Sequence, residues 1–213
     1  DHSGSMSGEK LTQAKDALRG VLKNLNQQDR FNIILYNDQI DPMFDRLRSG
    51  KGAGFREAME RIDRIDASGG TDIDGALGAA MKQCTDKERP SYIIFLTDGQ
   101  PTVGKTKEAD ILSDTKAANT GGVRLFAFGV GYDPNVRLLD RLVAENNGRS
   151  DYFKPKEPIE GKVGSLYSKI KNPVMTGLDV SLNGLRVKDM YPRQGGDLFD
   201  GDQIVLVGRY DAD

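Results

Sequence analysis

Apolar side chains recur at Leu11, Ala14, Leu18, Val21, Leu22 and Leu25, the three-to-four-residue spacing of an amphipathic helix over residues 10–25. Phe55, Ala58, Met59, Ile62 and Ile65 repeat that spacing, as do Ile73, Leu77, Ala80, Met81 and Cys84. Between and after these helices the period changes. Residues 31–36 (FNIILY), 92–97 (YIIFLT) and 123–130 are continuous apolar runs rich in β-branched and aromatic residues. Such runs predict strands buried on both faces. A polar helix is predicted over 107–118, another helix from Pro134 with Leu138, Leu139, Leu142 and Val143 inward, a short edge strand over 150–153 and a last helix over 159–170. Strands alternating with helices require crossover connections. The predicted fold is α/β, a doubly wound, mostly parallel sheet flanked by helices.

After Asn172-Pro173 the pattern alternates instead, over 178–182 and 185–190, with Asn183-Gly184 between them as a hairpin signal and a further strand-like run over 203–210. Residues 1–172 are therefore expected to form the α/β domain and 173–213 the start of an antiparallel β module.

Composition narrows the chemistry. The chain has 213 residues, and its 30 basic and 32 acidic side chains leave a net charge of -2, without the positive excess of a nucleic-acid binder. No apolar run reaches the roughly 20 residues of a membrane span. One cysteine, Cys84, and one histidine, His2, exclude an internal disulfide and any multi-cysteine or His-rich zinc site within one chain. Cys84 falls on the apolar side of its helix as a small core residue, and His2 is expected at the solvent-facing rim. The chain opens on Asp1 with neither initiator methionine nor signal-like segment, and so reads as an excised or trimmed piece.

In an open α/β sheet, ligands bind beyond the carboxyl ends of the strands. Three polar segments fall there: Asp1-His2-Ser3-Gly4-Ser5, Gly69-Gly70-Thr71-Asp72 and Thr97-Asp98-Gly99. Each taken singly is also a helix cap or a turn. Together they offer carboxylates and hydroxyls with almost nothing basic among them, a hard-oxygen set suited to Mg²⁺. A rival motif overlaps the third segment: residues 99–106, GQPTVGKT, match the phosphate-binding pattern G-x-x-x-x-G-K-T between a strand and a helix. Pro101 lacks an N–H where such a loop needs donors, and Asp98 would set a carboxylate beside the phosphates.

Asp1-x-Ser3-x-Ser5, the distant Thr71 and the distant Asp98 resemble the metal-ion-dependent adhesion site of von Willebrand factor type A domains, over roughly residues 1–172. The stretches SGSMSG, GGTDI and LTDGQPTVG, with YPRQGGDLF and VLVGRY later, are similar to inter-alpha-trypsin inhibitor heavy chains and their bacterial relatives. The resemblance implies a non-enzymatic adhesion module with metal ligands Asp1, Ser3, Ser5, Thr71 and Asp98. Its ion would be Mg²⁺, with Mn²⁺ or Ca²⁺ as substitutes, and its partner a protein supplying a Glu or Asp carboxylate. It implies no nucleic acid and no membrane insertion, and an extracellular, periplasmic or cell-surface setting. Gly4, Gly69 and Gly70 are expected to let the loops approach the ion closely. In that family the metal aspartate ends the central strand, which this sequence would lack because it starts at the aspartate. The strand is expected upstream or trimmed away, with residues 204–207 (IVLV) as the remaining candidate to fill its slot.

Overall fold

The computed structural model describes residues 1–86, 88–157, 161, 163–164, 173–175, 178, 180, 187–191, 198–199 and 203–210. It divides into two compact units, Asp1–Gly164 and Ser165–Asp213. In the first, helices α1 (Glu9–Asn24), α2 (Ala53–Asp63), α3 (Ile73–Gln83), α4 (Glu108–Ala118) and α5 (Val136–Glu145) stand where the apolar spacing puts them. Strands β5 (Tyr92–Thr97), β6 (Arg124–Val130) and β7 (Ser150–Phe153) form a parallel sheet in the order β5-β6-β7. The β5–β6 register runs without a break from Tyr92 opposite Arg124 to Thr97 opposite Gly129. Phe126, Phe128 and Leu125 are fully buried, and the core joins β5 and β6 to α3, α4 and α5 through Ile73, Leu77, Ile111, Leu138 and Leu142. Cys84 packs against this core, and burial raises its thiol pKa. The predicted α/β class holds.

Residues 31–36 depart from their predicted single, doubly buried strand. They split into β1 (Arg30–Phe31), antiparallel to β4 (Arg48–Ser49), and β2 (Ile34–Tyr36), antiparallel to β3 (Ile40–Pro42). Asn32 causes the break. Its side-chain oxygen accepts from the N–H of Ile33 (2.8 Å) and Phe44 (3.1 Å), and its Nδ2 donates to Phe44 O (2.7 Å). An amide side chain thus takes the place of ladder partners. Only Phe31, Ile33 and Tyr36 of the run are buried, with Asn32, Ile34 and Leu35 partly exposed, so it is not buried throughout as a sandwiched strand would be.

The chain start lies between β2 and β5. The Asp1 amino group donates to Leu96 O (3.1 Å) and His2 N–H donates to Tyr36 O (2.9 Å). Above this junction the rings of Tyr36 and Phe95 stack at 5.5 Å.

In the second unit, β8 (Pro173–Met175) pairs antiparallel with β10 (Leu198–Phe199), and β9 (Val187–Tyr191) pairs antiparallel with β11 (Val207–Tyr210). The alternating C-terminal pattern is therefore antiparallel β, as expected. Val207 pairs with Tyr191 here, which corrects the expectation of residues 204–207 as a strand filling a slot in the parallel sheet. Most of the predicted helix over 159–170 and the Asn183-Gly184 turn lie outside the described residues.

Candidate functional site

Each of the three polar segments has an ordinary structural use open to it, and the structure fills it with Asp72 in the second, Thr97 in the third and no side-chain cap in the first. Helix α1 starts at Gly8 without a side-chain cap, and Ser3, which precedes a short 3₁₀ turn over Gly4–Met6, makes no capping bond. Asp72, not Thr71, caps α3 by accepting from Gly75 N–H (2.9 Å). The turn after β5 is closed by Thr97 Oγ1, which accepts from Gly99 N–H (2.9 Å), so Asp98 is not needed for it. Ser3, Ser5, Thr71 and Asp98 are left without side-chain capping or turn bonds, while Asp1 spends Oδ1 on the N–H of Ser3 two residues on.

Side-chain bonds gather most of them. Asp1 Oδ1 accepts from Ser3 N–H (2.9 Å), and the Ser3 and Ser5 hydroxyls lie 3.1 Å apart. Asp1 Oδ2 accepts from the Thr97 hydroxyl (2.7 Å), which ties it to the residue before Asp98. Lys10 Nζ donates to Asp98 Oδ2 (3.0 Å) and to Ser5 O (2.9 Å), joining the third segment to the first. Thr71 enters through backbone bonds: Gly4 N–H donates to Gly69 O (3.0 Å), and Ser68 N–H to His2 O (2.9 Å). Thr71 N–H donates to Thr102 Oγ1 (2.8 Å), while Thr102 N–H (3.0 Å) and Val103 N–H (3.3 Å) return to Thr71 O. Asn37, next after β2, braces the same loop from below: its carbonyl accepts from Asp72 N–H (2.8 Å) and its Nδ2 donates to Ser68 O (3.0 Å).

Burial makes this arrangement costly unless it is used. Ser3 is 1% exposed, Thr71 2% and Asp98 7%. Asp98 Oδ1 is buried and has no hydrogen-bond partner among the described residues. An unpaired buried carboxylate oxygen carries a desolvation cost that native structures rarely leave uncompensated. His2 stands at the rim, half-buried, its Nδ1 2.9 Å from Asp66 O.

Gly69 sits at φ +73, and a Cβ there would run into the Asp38 carboxylate, so the loop's path depends on it. Gly4 is different: an added Cβ would reach Gly69 O at 3.4 Å, an ordinary contact, so its contribution is the N–H bond rather than conformational freedom.

The expectation of almost nothing basic among the segments is corrected by Lys10, which α1 delivers from its first turn. Thr97 was also missed. Its position before Asp98 was visible, but a threonine at a strand end is equally well read as β-propensity. In the phosphate-loop alternative, three of the loop's N–H groups, those of Gly99, Thr102 and Val103, are already bound to Thr97 Oγ1 and Thr71 O. Lys105 pairs with Asp114, a bond that raises its pKa. Among the described residues no three His, Cys, Asp or Glu side chains converge.

The chain is 29% identical over 217 residues to mouse inter-alpha-trypsin inhibitor heavy chain 4, covering 98% of this chain and 23% of that protein, so it spans about a quarter of the relative's length. Its fold matches a von Willebrand factor type A structure from Catenulispora acidiphila with a TM-score of 0.76 at 19% identity, over 99% of this chain and 52% of that one. It also matches mussel byssus proximal thread matrix protein 1, described with a zinc-occupied adhesion-site motif, with a TM-score of 0.59 at 19% identity, over 78% of this chain and 43% of that one. The model of the von Willebrand factor type A domain matches residues 1–162, and the chain belongs to that family.

Proposed function

We propose that this chain is a non-enzymatic, metal-dependent protein-binding module. Asp1, Ser3, Ser5, Thr71 and Asp98 would hold a divalent ion, Mg²⁺ foremost with Mn²⁺ or Ca²⁺ as substitutes. When bound, the ion supplies a Lewis-acidic position for a Glu or Asp carboxylate from a partner protein. The observation that carries this reading is Asp98: a buried carboxylate whose Oδ1 lacks a partner, on a loop cluster that also holds the Ser3 and Ser5 hydroxyls. Hard oxygen donors suit these ions, and weak hydroxyl donation preserves the ion's affinity for an outside acid.

The chain's own residues have distinct parts in this scheme. Thr97 orients Asp1 by donating to Oδ2, and Asp1 in turn fixes Ser3 through its backbone N–H. Thr102 holds the Thr71 loop in place from the opposite side. The zinc-bearing motif of the mussel relative supports a cation in this kind of site. We take residues 1–172 as the binding module and 173–213 as the start of an antiparallel β module. Likeness to inter-alpha-trypsin inhibitor heavy chains supports an extracellular or cell-surface setting. No helix among the described residues is long and apolar enough to cross a membrane.

Calorimetric titration with Mg²⁺, Mn²⁺ and Ca²⁺ tests the reading. Wild type should bind one ion per chain, and Asp98→Ala should lose that binding by a factor of 100 or more, of the order expected for loss of a charged ligand, with the fold preserved by circular dichroism. Equal binding by the two proteins would refute the assignment.

A further inference from the structure

Lys10 is placed with more care than a solvated helix residue needs. Its ammonium bridges Asp98 Oδ2 (3.0 Å) and Ser5 O (2.9 Å), and its side chain is only 28% exposed. Gly131, at φ +116 in the loop after β6, lies against its stem: a Cβ there would stand 3.2 Å from Lys10 Cε. The two oxygens of Asp98 consequently differ. Oδ2 belongs to Lys10, and Oδ1 is buried with no partner.

We propose that Lys10 is the positioning and charge-setting residue of this site, an inference that rests on the metal-binding reading above. It acts in two ways. By holding Oδ2 it leaves Oδ1 as the single oxygen Asp98 offers. By its charge it sets the balance of the loaded site. Asp1 and Asp98 alone would neutralise a divalent ion; with Lys10 the loaded site keeps one positive charge, which a single carboxylate from outside cancels. Lys10 thus weakens the hold on the ion and strengthens the hold on an acidic ligand.

The opposed signs separate this role from simple structural support, whose loss would weaken both. Lys10→Gln keeps a donor near Ser5 and Asp98 but removes the charge, and Lys10→Arg keeps the charge. Mn²⁺ binding is followed by water-proton relaxation, first with the metal alone and then, on the Mn²⁺-saturated proteins, with N-acetyl-glutamate amide as the carboxylate probe. Lys10→Gln should bind Mn²⁺ at least about tenfold tighter, since a unit charge a few ångströms from a divalent ion is worth that much even at the dielectric of water. It should bind the carboxylate probe severalfold more weakly, and Lys10→Arg should lie near wild type in both. If wild type binds Mn²⁺ and Lys10→Gln binds it no more tightly, or takes the carboxylate equally well, the role of Lys10 is overturned while the metal site stands. If neither protein binds Mn²⁺, the metal reading fails and this inference falls with it.

Discussion

Two apolar runs, FNIILY and YIIFLT, end at the same cluster of loops and serve it differently. YIIFLT becomes β5, paired without interruption to β6, and delivers Thr97 and Asp98 at its end. FNIILY is cut by Asn32 into two short antiparallel strands, and its end supplies bracing: Tyr36 O receives His2, and Asn37 receives Asp72 and holds Ser68. One strand contributes a charged group and the other holds the loops around it. The difference comes down to one side chain. An amide that can satisfy two N–H groups and one carbonyl competes with the ladder, whereas nothing in residues 92–96 can. A long parallel register fixes the direction of a strand end more tightly than a two- or three-residue pairing, which makes β5 the firmer base for the Asp98 carboxylate.

The contrast can be broken at several points. Phe95→Ala removes a buried ring that stacks on Tyr36 and links the two runs, and should destabilise the protein by about 3–5 kcal/mol in chemical denaturation. Asn32→Ala leaves the N–H groups of Ile33 and Phe44 without their partner and should cost less, about 1–3 kcal/mol. Its excess hydrogen exchange should be confined to residues 30–49. If Asn32→Ala loosened β5 and β6 as much as Phe95→Ala does, the two runs would be one cooperative strand system and the contrast would fail.

The smallest effect lies at the far edge of the parallel sheet. Tyr152 on β7 has its phenol pushed up to about 12, by burial first and then by its hydrogen bond to Asp140. A raised phenol pKa means that the fold favours the neutral form. Its contribution is therefore complete below the ordinary value of 10.0 and is lost as pH rises from there toward about 12. The stability difference between wild type and Tyr152→Phe should shrink across that window. A difference that stays constant with pH would mean that the phenol proton has no part in holding the edge.

Much of this was legible in the residues. The helices announce themselves by spacing because each buries one stripe, and β5 and β6 because parallel strands covered on both faces need unbroken apolar runs. Asp1, Ser3, Ser5, Thr71 and Asp98 stand out as oxygen-bearing residues at the ends of such elements. What escaped the pattern has physical reasons. Strands β3 and β4 carry Ile40-Asp41-Pro42 and Arg48-Ser49, too short and too polar for a period of two to register. The break at Asn32 depends on Phe44, distant in the chain, which no local window includes. Lys10 looked like one more charge on an amphipathic helix, and only the approach of β5 and the Gly131 loop turns it inward.

The ion itself is the most direct witness. Crystals equilibrated with Mn²⁺ and measured at its absorption edge should show one anomalous peak within coordination distance of Asp98 Oδ1 and the Ser3 and Ser5 hydroxyls, with Asp1 and Thr71 around it. Saturating Mn²⁺ that gives no peak there, with the loops in the arrangement described, would contradict the account.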